Sequence, residues 1–250
     1  MTSIVIVQDL WTEISKGKIP GQVIDLLGIG VSAFPHGTLD NVVVWNQNTV
    51  YPDFPTVGKV SVDSTNVNDT AAGTGARTII LHGTDATNSK FITETIIMAG
   101  TTAVLSTQDF SSVNGLSRVV TAGSLGRTAG VVRGRMAGVT VLSMDQGFTE
   151  GSHAHFTVPL DTTAFLFGIT YASRFRCELL TQNLNGISDA VYNDIDRTDV
   201  GGGRPFQFDL TRTPRKIDPN SRIRTVMRSP TYHNKIRVSW RLALIPTVAL

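Results

Sequence analysis

Few side chains in this 250-residue sequence stand at spacings that serve chemistry. His153 and His155 are two apart, which on a strand turns both to one side. With Asp145 or Glu150 they would offer a metal a mixed imidazole and carboxylate set. No third ligand is evident, so the expectation is a linker that carries two histidines. Asp189, Asp194, Asp196 and Asp199 fall in one polar stretch. Asp194-Ile195-Asp196 with Asp199 is like an oxygen-rich calcium loop, which needs about 6 to 8 oxygen ligands. The glycine of the sharp turn and the closing glutamate of such a loop are missing, and no calcium is expected. Cys177 sits at an apolar-parity position between Arg176 and Glu178 without an identifiable histidine partner, which predicts a small buried hydrophobe. Gly73, Gly75, Gly123, Gly126 and Gly130 make no dinucleotide fingerprint, because no strand–turn–helix context follows them. A glycosidase would need two acids about 5 to 10 Å apart in a cleft, and nothing picks out a pair. The sequence therefore predicts no catalytic residue, no metal site, no cofactor and no enzyme.

The elements that must carry these residues read as strands. Hydrophobic residues make up 41% of the chain and charged ones 17%, against about 25% charged in ordinary domains. Thr, Ser, Asn and Gly fill the difference. Such a composition excludes a long helix, a coiled coil and a charged disordered tail. No apolar run approaches the ~20 residues of a membrane span, and Met1 to Val7 lacks the basic start and apolar core of a secretory signal. One cysteine excludes an internal disulfide framework.

Residues 1 to 40 show no strong period and are expected to form an extended arm, with one short helix over Asp9 to Lys16. Such an arm buries too little alone and must lie on its own sheet or on another subunit. From Val42 onward the pattern is β. Val57 to Asp63 alternates, Ala76 to His82 and Phe91 to Met98 read as strands, and Val139 to Met144 ends the first set. Residues 145 to 155 read as a linker and 182 to 203 as a long polar loop. Ile236, Val238, Trp240, Leu242 and Leu244 share one parity, Arg237, Ser239 and Arg241 the other, which marks a half-buried strand. The expected fold is all-β: an N-terminal arm (1–40) and two β-sandwich units, jelly-roll or Ig-like, over 41–145 and 152–250.

Charge is divided unevenly. Residues 1 to 169 carry a net of −4 and residues 170 to 250 a net of +6, mostly through arginine. Arginines two apart, such as Arg174/Arg176 and Arg222/Arg224, fall on one strand face. A solvated or interface-lining sheet face is expected, not a nucleic-acid patch. Opposite charge on the two halves also suits subunit packing.

The string Asn66-Val67-Asn68-Asp69-Thr70-Ala71-Ala72-Gly73-Thr74-Gly75-Ala76-Arg77-Thr78 resembles a segment of structural proteins of tailed bacteriophages, cyanophages included. The resemblance continues through His82-Gly83-Thr84-Asp85-Ala86, Ile92-Thr93-Glu94-Thr95, Gly100-Thr101-Thr102-Ala103-Val104 and Val119-Val120-Thr121-Ala122-Gly123-Ser124. Gly17-Lys18-Ile19-Pro20-Gly21 and Trp45 match upstream, and Phe156-Thr157-Val158-Pro159 more loosely downstream. Leu125 and Arg127 depart from the pattern. The resemblance implies a β-sandwich virion protein, a capsid decoration, a neck or tail adaptor, or a baseplate or fibre-attachment protein. It implies as partners the chain itself, in a homotrimer or higher ring, and other virion proteins, with no membrane and no nucleic acid. The alternative is a carbohydrate-binding tail module for a host surface glycan. That role needs exposed aromatics, and Tyr171, Tyr192, Phe206 and Tyr232 are the candidates.

Overall fold

The computed structural model describes residues 14, 16–17, 20–31, 42–43, 52, 56–114, 117–151, 154–173, 177–184, 193–200, 205–210, 214–228 and 235–247. Every named element among them is a strand, as the sequence predicts. Two strands come first, β1 (Gln22–Val31) and β2 (Val42–Val43). Seven follow: β3 (Gly58–Ser64), β4 (Ala76–Asp85), β5 (Phe91–Ile97), β6 (Val104–Val113), β7 (Arg118–Ala122), β8 (Val132–Met136) and β9 (Val139–Met144). The last eight are β10 (His155–Thr157), β11 (Thr162–Ser173), β12 (Cys177–Leu184), β13 (Asn193–Val200), β14 (Phe206–Asp209), β15 (Arg215–Ile217), β16 (Arg222–Arg228) and β17 (Lys235–Pro246).

Strands β3 to β9 form one antiparallel sheet of order β5-β4-β6-β3-β8-β9, with β7 also on β4. Their inward side chains, among them Val60, Val62, Ile79, Leu81, Phe110 and Leu142, enclose a core of their own. The β8–β9 hairpin turns on Ala137 and Gly138, both with positive φ (48° and 81°), as a two-residue turn matched to strand twist requires.

The remaining strands make two facing sheets. One runs β1-β17-β11-β14, with β15 beside β14 on β11; the other runs β10-β16-β12-β13, with β2 beside β10 on β16. Counting β2 with β10 and β14 with β15 as single positions, this is the eight-position order of a jelly roll, with two Greek keys folded face to face. Its core holds Phe156, Leu166, Ile169, Leu179, Trp240 and Leu242. The alternation read in β17 is the observed one: Ile236, Val238, Trp240, Leu242 and Leu244 are buried, and Arg237 and Arg241 are exposed.

The strand ladders change the linear division expected from the sequence. Residues 22–31, assigned to an arm without strand period, pair along their whole length with β17, Gln22 opposite Leu244 and Val31 opposite Lys235. Val42 and Val43, assigned to the first sandwich, pair with Met227 and Val226 of β16. The β3–β9 unit is thus an insertion within the second position of the jelly roll, entered after β2 and left before β10. The short helix expected over Asp9 to Lys16 lies largely outside the described residues.

The two units meet along a polar and aromatic seam. Asn88 Nδ2 donates to Asn220 Oδ1 at 2.5 Å, and the Thr157 N–H donates to Asn114 Oδ1 at 3.0 Å. The Leu160 N–H donates to the Asn88 carbonyl at 2.8 Å. The Phe91 ring lies between His82 (5.8 Å) and Phe156 (6.3 Å), measured between centroids.

Candidate functional site

The segment Asn66 to Thr78 folds around one carboxylate. Asp69 is fully buried. Its Oδ1 accepts from the N–H groups of Ala76 (2.7 Å) and Ala129 (2.8 Å). Its Oδ2 accepts from the Gly130 N–H (2.9 Å) and the Ser64 hydroxyl (2.6 Å). Four donors satisfy the charge, which a buried carboxylate requires. A Cβ at Gly75 would collide with Asp69 Oδ1, and one at Gly130 would fall 2.6 Å from Asn66 Cβ. The glycines therefore permit close packing around an internal anion. The N–H groups that a phosphate would need point at the protein's own carboxylate. Arg77 Nε donates to the Gly73 carbonyl at 3.0 Å, turning another charge of the segment inward. The residues Asp69 gathers lie up to 61 positions away in sequence, so its central place could not be read from the motif alone.

Asp194, Asp196 and Asp199 sit on β13, an edge strand paired with β12, and not in a polar loop. This strand is hidden in the sequence because its side chains carry charge at both parities, as edge strands do to block further pairing. Asp194 accepts from Gln182 Nε2 (2.8 Å) and Arg197 Nη2 (2.9 Å). Asp196 accepts from Thr198 Oγ1 (3.1 Å), and Arg197 Nε also reaches Glu178 at 3.4 Å. The carboxylates are held by donors instead of converging on an ion. Asp189 lies outside the described residues. A second ion cluster joins Arg133 and Arg135 of β8 to Asp63 of β3.

His155 is a buried residue of β10 opposite Arg224, where a linker was expected. His153 lies outside the described residues. Among the described residues no three His, Cys, Asp or Glu side chains gather as a metal site. Cys177 is buried in the jelly-roll core, the place predicted for it.

Tyr171, offered as a sugar-stacking aromatic, is fully buried. Its hydroxyl lies 2.7 Å from Thr181 Oγ1, which lies 2.9 Å from Thr225 Oγ1; Trp240 Nε1 donates to Thr225 at 3.2 Å. This chain of polar groups crosses the core between the two sheets. Burial pushes the Tyr171 phenol well above its usual pKa; the Thr181 hydrogen bond opposes the shift and the Asp196 carboxylate adds to it. The run Thr163 to Tyr171 is strongly apolar at both parities, and such a strand with one tyrosine looks the same whether the ring faces in or out. Phe206 is 41% exposed. Tyr192 and Tyr232 lie outside the described residues.

The outer face of the β1-β17-β11-β14 sheet carries two features. β11 bulges between Leu166 and Gly168, which adds Phe167 as an extra residue and turns it outward. Phe167 then packs with Ala243, Ile245 and the partly buried Phe165, and Ile14 closes this small cluster from outside. Beside it is a concavity of about 260 Å³ lined by Gly168, Thr170, Gln207, Asp209, Ser239 and Arg241, among others.

No protein-family model matches the chain, and no curated protein matches it. Among solved structures, the chain has a distant likeness to the infectious bursal disease virus Gx strain (5% identity over 90% of this chain and 72% of that chain, TM-score 0.25). It has similar likenesses to the T13 particle of the same virus (8%, 90% and 70%, TM-score 0.24) and to its VP2 subviral particle (10%, 90% and 72%, TM-score 0.18). The jelly-roll assignment rests on the strand ladders and not on these superpositions.

Proposed function

We propose that this protein is a non-enzymatic structural subunit of a tailed-phage virion. It works by self-assembly into a homotrimer or larger ring and by contact with other virion proteins. The observation that carries the reading is the jelly-roll strand order with a β unit inserted into it. Jelly rolls recur in capsid and lectin domains, an analogy of fold that gains weight from the site chemistry. Asp69, Asp194, Asp196, Cys177 and Tyr171 are all engaged in internal structure. Among the described residues, most of the exposed large apolar side chains belong to the inserted unit, Val67, Ile97, Leu105, Val120, Leu125 and Val139 among them. Apolar groups of this kind mark association surfaces where they adjoin. The phage-like segment lies in the same unit. Light scattering on the purified chain tests the reading. The expected result is a mass of three chains or more, with rings or shells by electron microscopy. A monomer at every concentration and salt level overturns it.

A second reading, a carbohydrate-binding tail module, is favoured by the polar concavity at Thr170, Gln207, Asp209, Ser239 and Arg241. It ranks below the first because the aromatics in that lining, Phe167 and Trp240, are buried and offer no ring face for a sugar. Glycan-array binding that Gln207→Ala abolishes would bring it forward.

A further inference from the structure

We propose that β5 is an assembly edge: it pairs antiparallel with β5 of a second copy about a two-fold axis at Thr95, which joins the inserted sheets of two chains. The inference rests on the self-assembly reading above. β5 ends its sheet, and among the described residues β4 is the strand it pairs with. The Met98 N–H donates to the Arg77 carbonyl at 2.9 Å. Arg77 and Met98 are thus a hydrogen-bonded pair, and the ladder alternates from there. Ile96, Glu94 and Ile92 bond β4, while Ile97, Thr95 and Thr93 turn their N–H and C=O groups away from it. The Thr93 carbonyl is taken instead by Gln108 Nε2, at 3.2 Å. The side chains of Thr93, Thr95 and Ile97 are exposed.

Sheet edges are ordinarily blunted by charge, proline or a bulge. β13 is blunted in this way by Asp194, Asp196, Arg197 and Asp199. β5 is not: it holds no proline, its ladder with β4 runs without a bulge, and its single charge is drawn aside. Glu94 accepts from the Thr107 N–H (2.6 Å), the Thr107 hydroxyl (3.1 Å) and the Gln108 N–H (3.0 Å). An edge whose charge is held by another strand of its own chain is open to strand addition. Charge and shape favour a second copy as the occupant. In the register centred on Thr95, Thr93 lies opposite the second copy's Ile97, Glu94 opposite its Ile96, and Thr95 opposite its own counterpart. No like charges meet, and the exposed face becomes a row of β-branched pairs, which strengthen a sheet. The outward residues of the two strands then exchange their N–H and C=O groups, and the Thr93 carbonyl has a second lone pair beside the one Gln108 uses. Such a contact is isologous, so it joins copies in pairs and is separate from the contact that closes a ring.

The test uses the full-length chain with single cysteines at exposed positions of β5; Cys177 is buried and shielded. Thr95→Cys should form a disulfide-linked dimer under mild oxidation, since its two copies face each other with Cα atoms about 5.5 Å apart. Thr93→Cys and Ile97→Cys should link to each other when mixed and neither to itself, because like positions stand about 14 Å apart. Thr95→Lys sets two ammonium groups on the axis and should weaken association at least about tenfold. The loss should be larger at low salt than at high, with an unchanged circular dichroism spectrum. Where Thr95→Lys disturbs the fold, the cysteine links decide. If the chain assembles but Thr95→Cys gives no dimer, or the links form in another pattern, the edge contact is overturned and the assembly reading stands. A mass of two chains with the expected links supports the edge contact and removes the ring. If light scattering shows a monomer throughout, both fall.

Discussion

Asp69 is the residue on which the inserted unit turns. Removing its carboxylate leaves three backbone N–H groups and the Ser64 hydroxyl without their acceptor. Asp69→Ala is expected to cost about 3–5 kcal/mol, the penalty for breaking a buried charged network, measured by urea unfolding. Asp69→Asn keeps the volume but turns an NH2 toward donors, and should lose a large part of that. His82 sets a pH dependence. Burial first, and the Arg118 charge second, lower its pKa from 6.5 to about 4, and its enclosed Nδ1 makes no hydrogen bond among the described residues. Between those two values the unfolded chain takes up a proton that the folded chain refuses. Stability must then fall as pH drops from about 6.5 to about 4 and level off below. His82→Phe, which keeps the stack on Phe91, should flatten that slope; thermal melts from pH 4 to 7 check it. The motif alone does not show why Asp69 is central, because two of its four donors arrive from residues 129 and 130.

Strands were legible where one face is buried and the other wet. β17 shows this: its apolar and charged parities are the observed inner and outer faces. β13 was hidden for the opposite reason, since an edge strand charged on both faces has no apolar period. β1 was hidden because its register is set by β17, more than 200 residues away, and by nothing in its own run of Ile, Leu and Gly. Turns offer a direct check. Ala137 holds φ +48° at the first position of a two-residue hairpin turn before Gly138, where Asn is favoured. Ala137→Asn is expected to stabilise the protein by about 0.5–1 kcal/mol, with the denaturant slope unchanged.

At the scale of the molecule, composition and strand pattern revealed β structure but not the nesting of its strands, because a linear pattern does not show that a late strand pairs with an early one. The inserted unit has its own core and its own closed set of ladders. Residues 56–151 expressed alone should therefore unfold cooperatively, as followed by calorimetry; a fragment with no transition would show that the seam at Asn88, Asn114 and Phe91 supplies essential stability. Nesting also imposes a schedule on synthesis. At about 5–20 residues per second, β1 leaves the ribosome some 10 to 40 seconds before β17 can reach it. The inserted unit, whose partners are near in sequence, can fold in that interval, while the outer sheet stays open. Refolding from urea should repeat this order, with a fast phase from the insertion and a slower one, reported by Trp240, from the jelly roll. A chain of this design is vulnerable early in its life, when β1 is already made and its partner strand is still a message.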